Sequence, residues 1–547
     1  MPELLIGPLL RHVGASDAAV WVEVDGPCEV EVLGHPARTF HVDGHHYALV
    51  PIEGLEPERT YPYEVALDGR TVWPDPNSGF PPSTIRTLGD DHGLRILFGS
   101  CRVSAPHRPP YTLGADDDEH GFEVDALWAY TRRMAGRPAE EWPHAVIFLG
   151  DQVYADEVSP GTLDRIRARR DTSEPPGDEV ADFEEYTWLY LEAWCDPTIR
   201  WFLSNVSSAM LFDDHDVHDD WNISAAWVEE MRRQPWWETR IAGAFASYWI
   251  YQHIGNLSPR ELAEDELYAR VREADDAWPL LREFALRSDR EPNGTRWSFC
   301  RDFGRTRLVA IDCRAGRVLV PGARQLVDDE EWEWIVDSVG GDFHHLLLAM
   351  SDPFILPRGI HDVQGWNEAV CDGVWGSLAA RLGERARRSA DLDHWPAFGS
   401  SFRALAGLLG DVAAGKRGAA PGSVIALSGD VHNAYLAEIG FQNGAASPVY
   451  QAVCSPYRNP LGAKERRAQR FGGTATGQLV GRMLARAAGV PPPPIGWRFL
   501  EGPHFRNQLG TLELDGRSLR MRLEAIGSWD GEGDPPRLEL EFERPLA

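Results

Sequence analysis

Residues Ala145-Val146-Ile147-Phe148-Leu149-Gly150-Asp151 form an apolar run that ends at a glycine and an acidic residue. A short run without charges is typical of a strand that is buried on both faces of a sheet. Similar runs recur along the chain, and stretches with helical spacing separate them. The predicted strands are Leu94–Phe98, Ala145–Leu149, Ala209–Phe212, Leu308–Ile311, His345–Met350 and Val424–Leu427. Strands that alternate with helices in this way predict an α/β fold.

Four of these runs are followed at once by residues that can bind a metal. The segments are Phe98–Arg102, Phe148–Asp156, Phe212–Asn222 and Leu427–Asn433. In an open α/β sheet, ligands bind beyond the carboxyl ends of the strands, so residues that are far apart in the sequence can converge there. We therefore expect one site that draws on all four segments.

The third of these segments is the most acidic, with five carboxylates between Asp213 and Asp220. Like charges at this spacing repel one another unless a cation compensates them. The other three segments have simple alternative interpretations when each is taken alone. Asp151 could cap a helix after a glycine turn, Cys101 could be a small buried apolar residue, and His432 could be a structural histidine. It is the combination that predicts a metal or catalytic site.

Residues 1–88 have a different pattern, with short alternating or β-branched runs such as Ala18–Val24 and Glu29–Val32 between Gly and Pro turns. The segment Leu55–Val65 follows the pattern Leu-x-Pro-x-x-x-Tyr-x-Tyr-x-Val and resembles a segment of fibronectin type III domains. We predict a β-sandwich of the fibronectin type III or immunoglobulin kind over residues 1–88, and a second, α/β domain over residues 90–547.

Within the second domain, apolar positions that recur at intervals of three and four predict helices over Phe183–Phe202 and Glu330–Val339. Residues 171–182 are rich in proline and acidic residues, which favours an exposed loop. The last predicted elements are strands, at Thr511–Leu514, Leu519–Ala525 and Leu538–Phe542.

The chain is strongly acidic, with 84 Asp and Glu against 54 Lys and Arg and a formal net charge of −30. This charge argues against nucleic acids and acidic membranes as general partners, unless a local basic surface overrides it. The amino terminus has no basic region, twin arginine or long apolar stretch, so we expect a cytoplasmic protein without a membrane span. The 7 cysteines form no C-x-x-C pair and predict no disulfide framework.

Taken in order, the motifs Gly99-Ser100-Cys101, Gly150-Asp151-x-x-Tyr154, Asp213-Asp214-His215-Asp216 and Ser428-Gly429-Asp430-Val431-His432 resemble the PhoD-like (alkaline phosphatase D) family of the calcineurin-like metallophosphoesterase superfamily. The resemblance implies a four-layer αββα catalytic domain and a metal-dependent phosphoester hydrolase, either a phosphomonoesterase or a phosphodiesterase. It also implies Fe³⁺ together with one or more divalent cations. Oxygen ligands favour Ca²⁺ as the second cation, with Mn²⁺ or Zn²⁺ as alternatives.

The resemblance also assigns roles to single residues. Asp151 corresponds to the carboxylate that bridges the metals, and a hydroxide held between the metals would be the nucleophile. His215 corresponds to the catalytic histidine that protonates the leaving alkoxide, and Arg102 could hold a phosphate oxygen. The implied iron ligands are Cys101, Tyr154 and His432, and the implied ligands of the second cation are Asp214 and Asp430.

One position departs from the superfamily pattern, because Asp352 stands where a histidine usually binds the second metal. Either Asp352 replaces that ligand or water completes the site. Two other functions stay open: a thiol hydrolase with Cys101 as nucleophile and His215 as base, and a non-catalytic binding protein that retains metals for stability. We expect a small-molecule phosphoester as substrate, whose identity the sequence does not specify, and the oligomeric state is equally open.

Overall fold

The structure is a computed structural model that describes residues 1–89, 93–442, 444–527 and 537–547. The predicted start of the second domain at residue 90 lies outside the described residues. The chain has a mixed α/β fold that begins with an all-β region.

The all-β region contains ten strands in antiparallel pairs. They form two four-stranded sheets, in the orders β1-β2-β6-β5 and β4-β3-β8-β9, and a separate pair, β10-β7. The bounds are β1 Leu4–Val13, β2 Asp17–Val24, β3 Glu29–Val32, β4 His35–Arg38, β5 Phe40–Val42, β6 His45–Glu53, β7 Thr60–Pro62, β8 Val65–Leu67, β9 Arg70–Trp73 and β10 Thr84–Arg86. The hydroxyl of Tyr61 accepts a hydrogen bond from Glu56 N at 2.8 Å, which ties down the preceding loop. The fibronectin-like arrangement of this region stays a prediction.

A six-stranded sheet and a seven-stranded sheet make up the rest of the β-structure. The first has the order β13-β12-β11-β21-β22-β23, and the second has the order β14-β15-β16-β17-β19-β18-β20. The bounds are β11 Leu94–Gly99, β12 Ala145–Phe148, β13 Ser207–Met210, β14 Phe299–Phe303, β15 Thr306–Ile311, β16 His345–Met350, β17 Ser423–Ser428, β18 Ala434–Phe441, β19 Val449–Val453, β20 Ile495–His504, β21 Gln508–Asp515, β22 Ser518–Ile526 and β23 Leu538–Pro545. The six predicted apolar runs correspond to β11, β12, β13, β15, β16 and β17, and the three predicted terminal strands to β21, β22 and β23.

Parallel pairing explains why those six runs are almost entirely apolar, with Arg95 as the one charged residue among them. Strands β11, β12 and β13 run parallel, as do β15, β16, β17 and β19. Alternate side chains of each strand enter different apolar clusters. Ile147 joins a cluster shared by both sheets, whereas Val146 and Phe148 join a cluster that contains helical residues. Leu308 and Val309 divide in the same way in the seven-stranded sheet. Each sheet is therefore covered on both faces.

Fifteen α-helices connect and cover these strands within the described residues. The single helix predicted over Phe183–Phe202 was wrong, because Pro197 has no N–H to donate to the preceding turn and Asp196 caps a new helix. The bounds are α1 Ala126–Ala135, α2 Pro160–Arg169, α3 Phe183–Trp194, α4 Pro197–Asn205, α5 Ala225–Met231, α6 Trp237–Ser247, α7 Pro259–Glu264, α8 Glu266–Glu273, α9 Trp278–Arg290, α10 Asp329–Ser338, α11 Arg358–Cys371, α12 Ser377–Ser389, α13 Gly399–Ala413, α14 Ala463–Gly473 and α15 Ala475–Ala487. None of the described helices has both the length and the apolar character needed to cross a bilayer.

Helices α14 and α15 form a hairpin that packs on α11 through glycines. A Cβ placed on Gly359 of α11 would lie 2.7 Å from the carbonyl oxygen of Gly472 and 2.8 Å from that of Gly477. A Cβ on Gly481 would lie 2.5 Å from the carbonyl oxygen of Gly359. The absence of side chains at these positions lets the three helices approach closely beside the carboxyl ends of the central strands.

Candidate metal centre

The four predicted segments meet where the central strands end. Cys101 follows β11, Asp151 follows β12, Asp214 follows β13, and Asp430 and His432 follow β17. One ligand atom each from Cys101, Asp151 and His432 lies within 4.8 Å of the others. Asp151, Asp213 and Asp214 form a second group of this kind, and Asp352, His394 and Asp430 form a third.

Several non-glycine residues of this centre have positive φ angles, a backbone conformation that residues with a side chain rarely adopt. The φ angles of Cys101, Asp151, Asp430 and His432 are 54°, 49°, 63° and 49°. Each such residue costs on the order of 1–3 kcal/mol, a cost that surrounding structure must offset. The glycine before Asp151 is required as well, because a Cβ on Gly150 would lie 2.6 Å from an Asp213 carboxylate oxygen.

The first group has the features expected of a metal site. Cys101 Sγ lies 3.3 Å from Asp151 Oδ2, and Oδ1 of Asp151 is buried without a hydrogen-bond partner among the described residues. Burial raises the pKa of both the Asp151 carboxyl and the Cys101 thiol well above their usual values. A bound cation would remove this penalty, because it favours the charged form of each ligand. The residues present therefore fit a metal ion.

Tyr154 lies close enough to Cys101 and Asp151 for their charges to act on its phenol. It is buried, and its hydroxyl accepts a hydrogen bond from Nδ2 of Asn459 at 3.2 Å. Its ring centroid is 4.6 Å from that of His215. Burial raises the pKa of the Tyr154 phenol well above its usual value, and the negative charges of Cys101 and Asp151 raise it further.

His215 is oriented by Asp156. Its Nδ1 lies 3.0 Å from both carboxylate oxygens of Asp156, and its side chain lines the cavity above the site. Burial alone would lower the pKa of His215, but the charge and hydrogen bond of Asp156 raise it well above its usual value. The same pairing lowers the pKa of Asp156 to about 2, against the opposing effect of burial. With Nδ1 engaged, Nε2 is the nitrogen available to a ligand.

A buried arginine, Arg314, stands among the carboxylates of the site. Its neighbours are Asp213 Oδ1 at 2.7 Å, Asp393 Oδ2 at 2.7 Å, Asp352 Oδ1 at 3.2 Å, Asp430 Oδ1 at 3.4 Å and Asp214 Oδ1 at 3.5 Å. Arg317 supports the same cluster and lies 2.7 Å from both Asp352 and Asp393. These two guanidinium groups offset part of the negative charge that the acidic segment brings together.

His394 supplies an imidazole close to the position where the sequence lacked one. Its Nε2 lies 2.8 Å from Asp430 Oδ2, and Asp352 belongs to the same potential ligand group. The carboxylate of Asp430 has its pKa lowered to about 2, because the hydrogen bond and charge of His394 outweigh burial. The structure thus places both Asp352 and a histidine beside Asp430.

Arg102 is a predicted site residue whose side chain turns away from the other candidate ligands. Its Nε donates to Asp125 Oδ2 at 2.8 Å and its Nη1 to the Ala193 carbonyl at 3.0 Å. Asp125 caps α1, so the Arg102 side chain holds that helix rather than facing the carboxylates. The arginine that lines the cavity is Arg314.

Reasoning from the sequence missed several residues of the centre. They are Asp156, Asp213, Arg314, Arg317, Asp393, His394 and Asn459. A signal for Arg314 was present, since it follows the apolar strand β15 as Asp151 follows β12. His394 follows α12 at some distance and carried no comparable signal.

A cavity of about 680 Å³ opens above the centre. Its base contains Asp151, Asp214, His215, Asp430 and His432. Its walls come from α11, the segment after α12, and the α14–α15 hairpin, and they contain the apolar residues Leu356, Ile360, Val363, Leu392, Val431, Leu461, Phe471 and Val480. A charged base below an apolar wall suits a ligand with one anionic and one apolar part.

Comparison with known proteins agrees with this geometry. A family model described as PhoD-like phosphatase matches residues 122–274, and a domain of unknown function, DUF7800, matches residues 1–85. None of the curated proteins matches the sequence of the chain. A solved structure described as "Structure of PhoD" is similar to the chain with a TM-score of 0.58 and 13% sequence identity, over 98% of this chain and 88% of the other. The structure of a maltogenic amylase from S. marinus has a TM-score of 0.18 and 10% sequence identity, over 96% of this chain and 78% of the other.

The structural likeness, at this low identity, concerns the fold, and the family match concerns residues that include Asp151, Tyr154, Asp156 and the acidic segment with His215. Both agree with the resemblance seen in the sequence motifs. The chain is therefore similar to the PhoD-like phosphatases over residues 122–274, and it shares its fold with the structure of PhoD over nearly its whole length.

Proposed function

We propose that this protein is a metal-dependent phosphoester hydrolase that acts on small phosphoesters, as a phosphomonoesterase, a phosphodiesterase or both. The observation that carries the proposal is the convergence of Cys101, Asp151 and His432, whose ligand atoms lie within 4.8 Å of one another beside Tyr154 and His215. A thiolate, a phenolate and an imidazole suit iron, and carboxylates suit a harder cation.

In this proposal, Cys101, Tyr154 and His432 hold Fe³⁺, and Asp214 and Asp430 hold a divalent cation, with Asp151 shared between the two. Ca²⁺ fits the carboxylate ligands best, and Mn²⁺ or Zn²⁺ are alternatives. When bound, such a pair of cations activates water and neutralises charge on a phosphoryl group. Asp352 and His394 are the further ligands available to the second cation.

The residues of the chain would then orient the ester and handle its protons. Asp156 holds Nδ1 of His215, so Nε2 can donate a proton to the alkoxide that leaves. Arg314 keeps the carboxylates Asp213 and Asp214 in place around the phosphoryl position. The apolar wall around Ile360 and Phe471 excludes water from one side of the ester.

Two finer points of architecture belong to the same proposal. The catalytic part would be four-layered, which the division of strand side chains between a shared inter-sheet cluster and helix-covered clusters supports. Residues 1–88 would be a separate β-sandwich domain, which the antiparallel pairing of their strands supports.

A thiol hydrolase based on Cys101 gains no support from the geometry. Burial raises the pKa of the Cys101 thiol, whereas a nucleophilic cysteine needs a lowered one. The base that such an enzyme needs would be His215, but the partner of His215 is Asp156. Chelation separates the two mechanisms, because it should abolish activity of a metal enzyme and leave a thiol enzyme active.

Metal analysis of protein purified without added metal tests the proposal most directly. We expect iron and a divalent cation, and hydrolysis of aryl phosphoesters that chelators abolish. Asp151→Asn should lower the content of both metals and remove activity, because the shared charge is lost. Tyr154→Phe should retain the fold and lose any visible tyrosinate-to-iron absorption. Protein without iron, whose turnover survives chelation, would overturn the proposal.

A further inference from the structure

Exposed apolar side chains are concentrated beside the cavity. Of the 12 large apolar residues that are exposed among the described residues, 8 lie on two segments, residues 374–382 and 471–483. They are Val374, Trp375, Leu378, Leu382, Phe471, Leu479, Val480 and Met483. We call the surface formed by residues 372–389 and 463–487 the mouth face. It contains α12, α14 and α15. Clustered exposed apolar residues mark an interaction site more often than scattered ones do.

The mouth face continues into the cavity. Phe471 and Val480 line the cavity and are also 53% and 44% exposed to solvent. Leu479 and Met483 lie one helical turn apart on α15, so they extend this apolar surface outward. The indole Nε1 of Trp375 donates to the carbonyl of Ala487 at 3.3 Å, which joins the two segments.

The mouth face is also basic, in contrast to the rest of the chain. It contains 10 Lys and Arg against 3 Asp and Glu, a balance of +7 in a chain whose balance is −30. Seven of the cationic side chains are exposed and form no ion pair with a described residue. They are Arg381, Arg385, Lys464, Arg467, Arg470, Arg482 and Arg486. The exposed acidic residues on the same surface are Asp372 and Glu465.

We propose that the mouth face docks on an anionic lipid surface and brings the cavity to a phosphoester in that surface. Helices that lie in a lipid interface combine apolar side chains with Lys and Arg, whose long stems reach the headgroups. The apolar wall of the cavity, formed by residues such as Ile360 and Val363, would accept the apolar part of such an ester. Docking requires only the mouth face, whereas delivery of a lipid ester to the centre rests on the proposed function.

The charge distribution selects this partner. The negative remainder of the chain is repelled by an anionic surface, so the molecule would approach with the mouth face first. Seven cations around an apolar centre match anionic headgroups above acyl chains.

Sedimentation with vesicles tests docking without any use of catalysis. We expect the intact protein to bind vesicles of phosphatidylcholine with phosphatidylglycerol and not vesicles of phosphatidylcholine alone. Binding should weaken as salt is added, because salt screens exposed charges. Failure to bind the anionic vesicles, or equal binding to both kinds, would overturn the proposal.

Variants locate the bound surface. Arg482→Glu with Arg486→Glu should weaken vesicle binding at least about tenfold, since each basic residue near such a surface contributes about fivefold. Leu479→Ser with Met483→Ser should also weaken it. The matched control is Leu540→Ser, because Leu540 is 53% exposed but lies on β23. All three proteins should keep the wild-type thermal midpoint and the wild-type hydrolysis of a soluble aryl phosphoester. Equal vesicle binding by all of them would place docking elsewhere and overturn the assignment.

A second copy of the chain is the competing occupant. Size-exclusion chromatography with light scattering measures this alternative. Lipid docking would be overturned by a dimer that the Leu479→Ser and Met483→Ser changes convert to a monomer, if neither form binds vesicles. If the protein bound vesicles but hydrolysed no phosphoester, the docking proposal would be supported and the proposed hydrolase function would be rejected.

Discussion

At the scale of single residues, His215 shows how one neighbour directs chemistry. Both oxygens of Asp156 lie 3.0 Å from Nδ1, so the proton that His215 can give away is the one on Nε2. The neighbouring histidine, His218, has its Nδ1 2.7 Å from the backbone oxygen of Asp219 and is not part of the cavity lining. This pair of histidines therefore offers a matched test of general acid catalysis.

We expect His215→Asn to lower kcat about 10²- to 10⁴-fold for an alkyl phosphoester, because a poor leaving group needs a proton in the transition state. The loss should be much smaller for a nitrophenyl ester, which leaves without protonation. Steady-state kinetics with the two esters measure this difference, and His218→Asn should change neither rate. Equal losses for both esters would show that His215 does not act as the acid.

Arg314 stabilises the centre through charge. It is buried among five carboxylates, and removing it would leave Asp213 without an ion-pair partner among the described residues and Asp393 with Arg317 alone. We expect Arg314→Met to destabilise the protein by about 3–5 kcal/mol, measured as a shift of the urea midpoint. The exposed Arg381, which has no ion pair among the described residues, provides the control, and Arg381→Met should change stability by less than about 0.5 kcal/mol. Unchanged stability with a raised KM would mean that Arg314 serves mainly as a substrate ligand.

The site illustrates what residue types can and cannot reveal. Cys101, Asp151, Asp214, Asp430 and His432 could be found because each is of a residue type that can bind a metal and lies just after a buried strand. Side-chain direction was beyond this reasoning. Arg102 is next to Cys101 in the sequence, yet its side chain binds Asp125. The direction of a long side chain cannot be predicted from its position in the sequence.

At the scale of elements, the α14–α15 hairpin depends on glycine contacts with α11. Gly359→Ala should destabilise this packing by about 1–3 kcal/mol, because the new methyl group would meet backbone atoms of Gly472 and Gly477 at 2.7 and 2.8 Å. Gly407 provides a control in the helix α13, since a Cβ there would meet nothing within 4 Å. Gly407→Ala should be stabilising by about 0.5–1 kcal/mol.

Thermal midpoints and proteolysis of residues 463–487 measure the effect. Rapid cleavage of Gly359→Ala within the hairpin is expected, with the rest of the chain protected. If both alanine variants behaved alike, the close approach of the helices would not depend on the glycine.

The elements that could be predicted are those with a strong period. The strands β11, β12, β13, β15, β16 and β17 are buried along most of their length and contain only two charged residues, Arg95 and Arg307, so apolar runs identified them. The strand β20 is mostly half-exposed and mixes polar with apolar residues, and no comparable run marked it. Its place beside β18 is set by pairing between distant segments, which local pattern does not contain.

At the scale of the whole molecule, ion pairs as well as apolar contacts join the all-β region to the helices. His45 of β6 lies 3.0 Å from Glu23 and 2.9 Å from Glu184 of α3. Burial alone would lower the pKa of His45, but these two carboxylates raise it to about 9. Asp43 is a further acidic residue nearby, and burial and the charge of Asp276 raise its pKa against the opposing charge of His45.

This pairing predicts a dependence of stability on pH. Because the folded-state pKa of His45 is raised above the unfolded value of 6.5, its contribution is fully present below pH 6.5 and is lost as the pH rises through about 9. The contribution at pH 6 is on the order of 3 kcal/mol. The difference in thermal midpoint between the wild type and His45→Gln should therefore shrink between pH 6.5 and 9. A difference that stays constant over this range would contradict the assignment.

The net charge of the molecule was informative only as an average. A net charge of −30 shows that the chain is acidic, but it does not show where the 54 Lys and Arg side chains lie on the folded molecule. Folding gathers ten of them on residues 372–389 and 463–487, beside the cavity. Partners can therefore be excluded from a net charge only where the charge is evenly spread.

The order of strands in the six-stranded sheet has a consequence for biosynthesis. The strand before Cys101, β11, pairs on one side with β12 and on the other with β21, which begins at residue 508. A ribosome must therefore make residues 508–515 before one edge of β11 is covered, and a nascent chain carries that edge unpaired. Asp430 and His432 are also made late, so a growing chain holds Cys101, Asp151 and Tyr154 well before their partners exist. In the proposed function, the metals would be acquired only after the second sheet has been synthesised, and folding helpers that shield the open β11 edge would raise the yield of active protein.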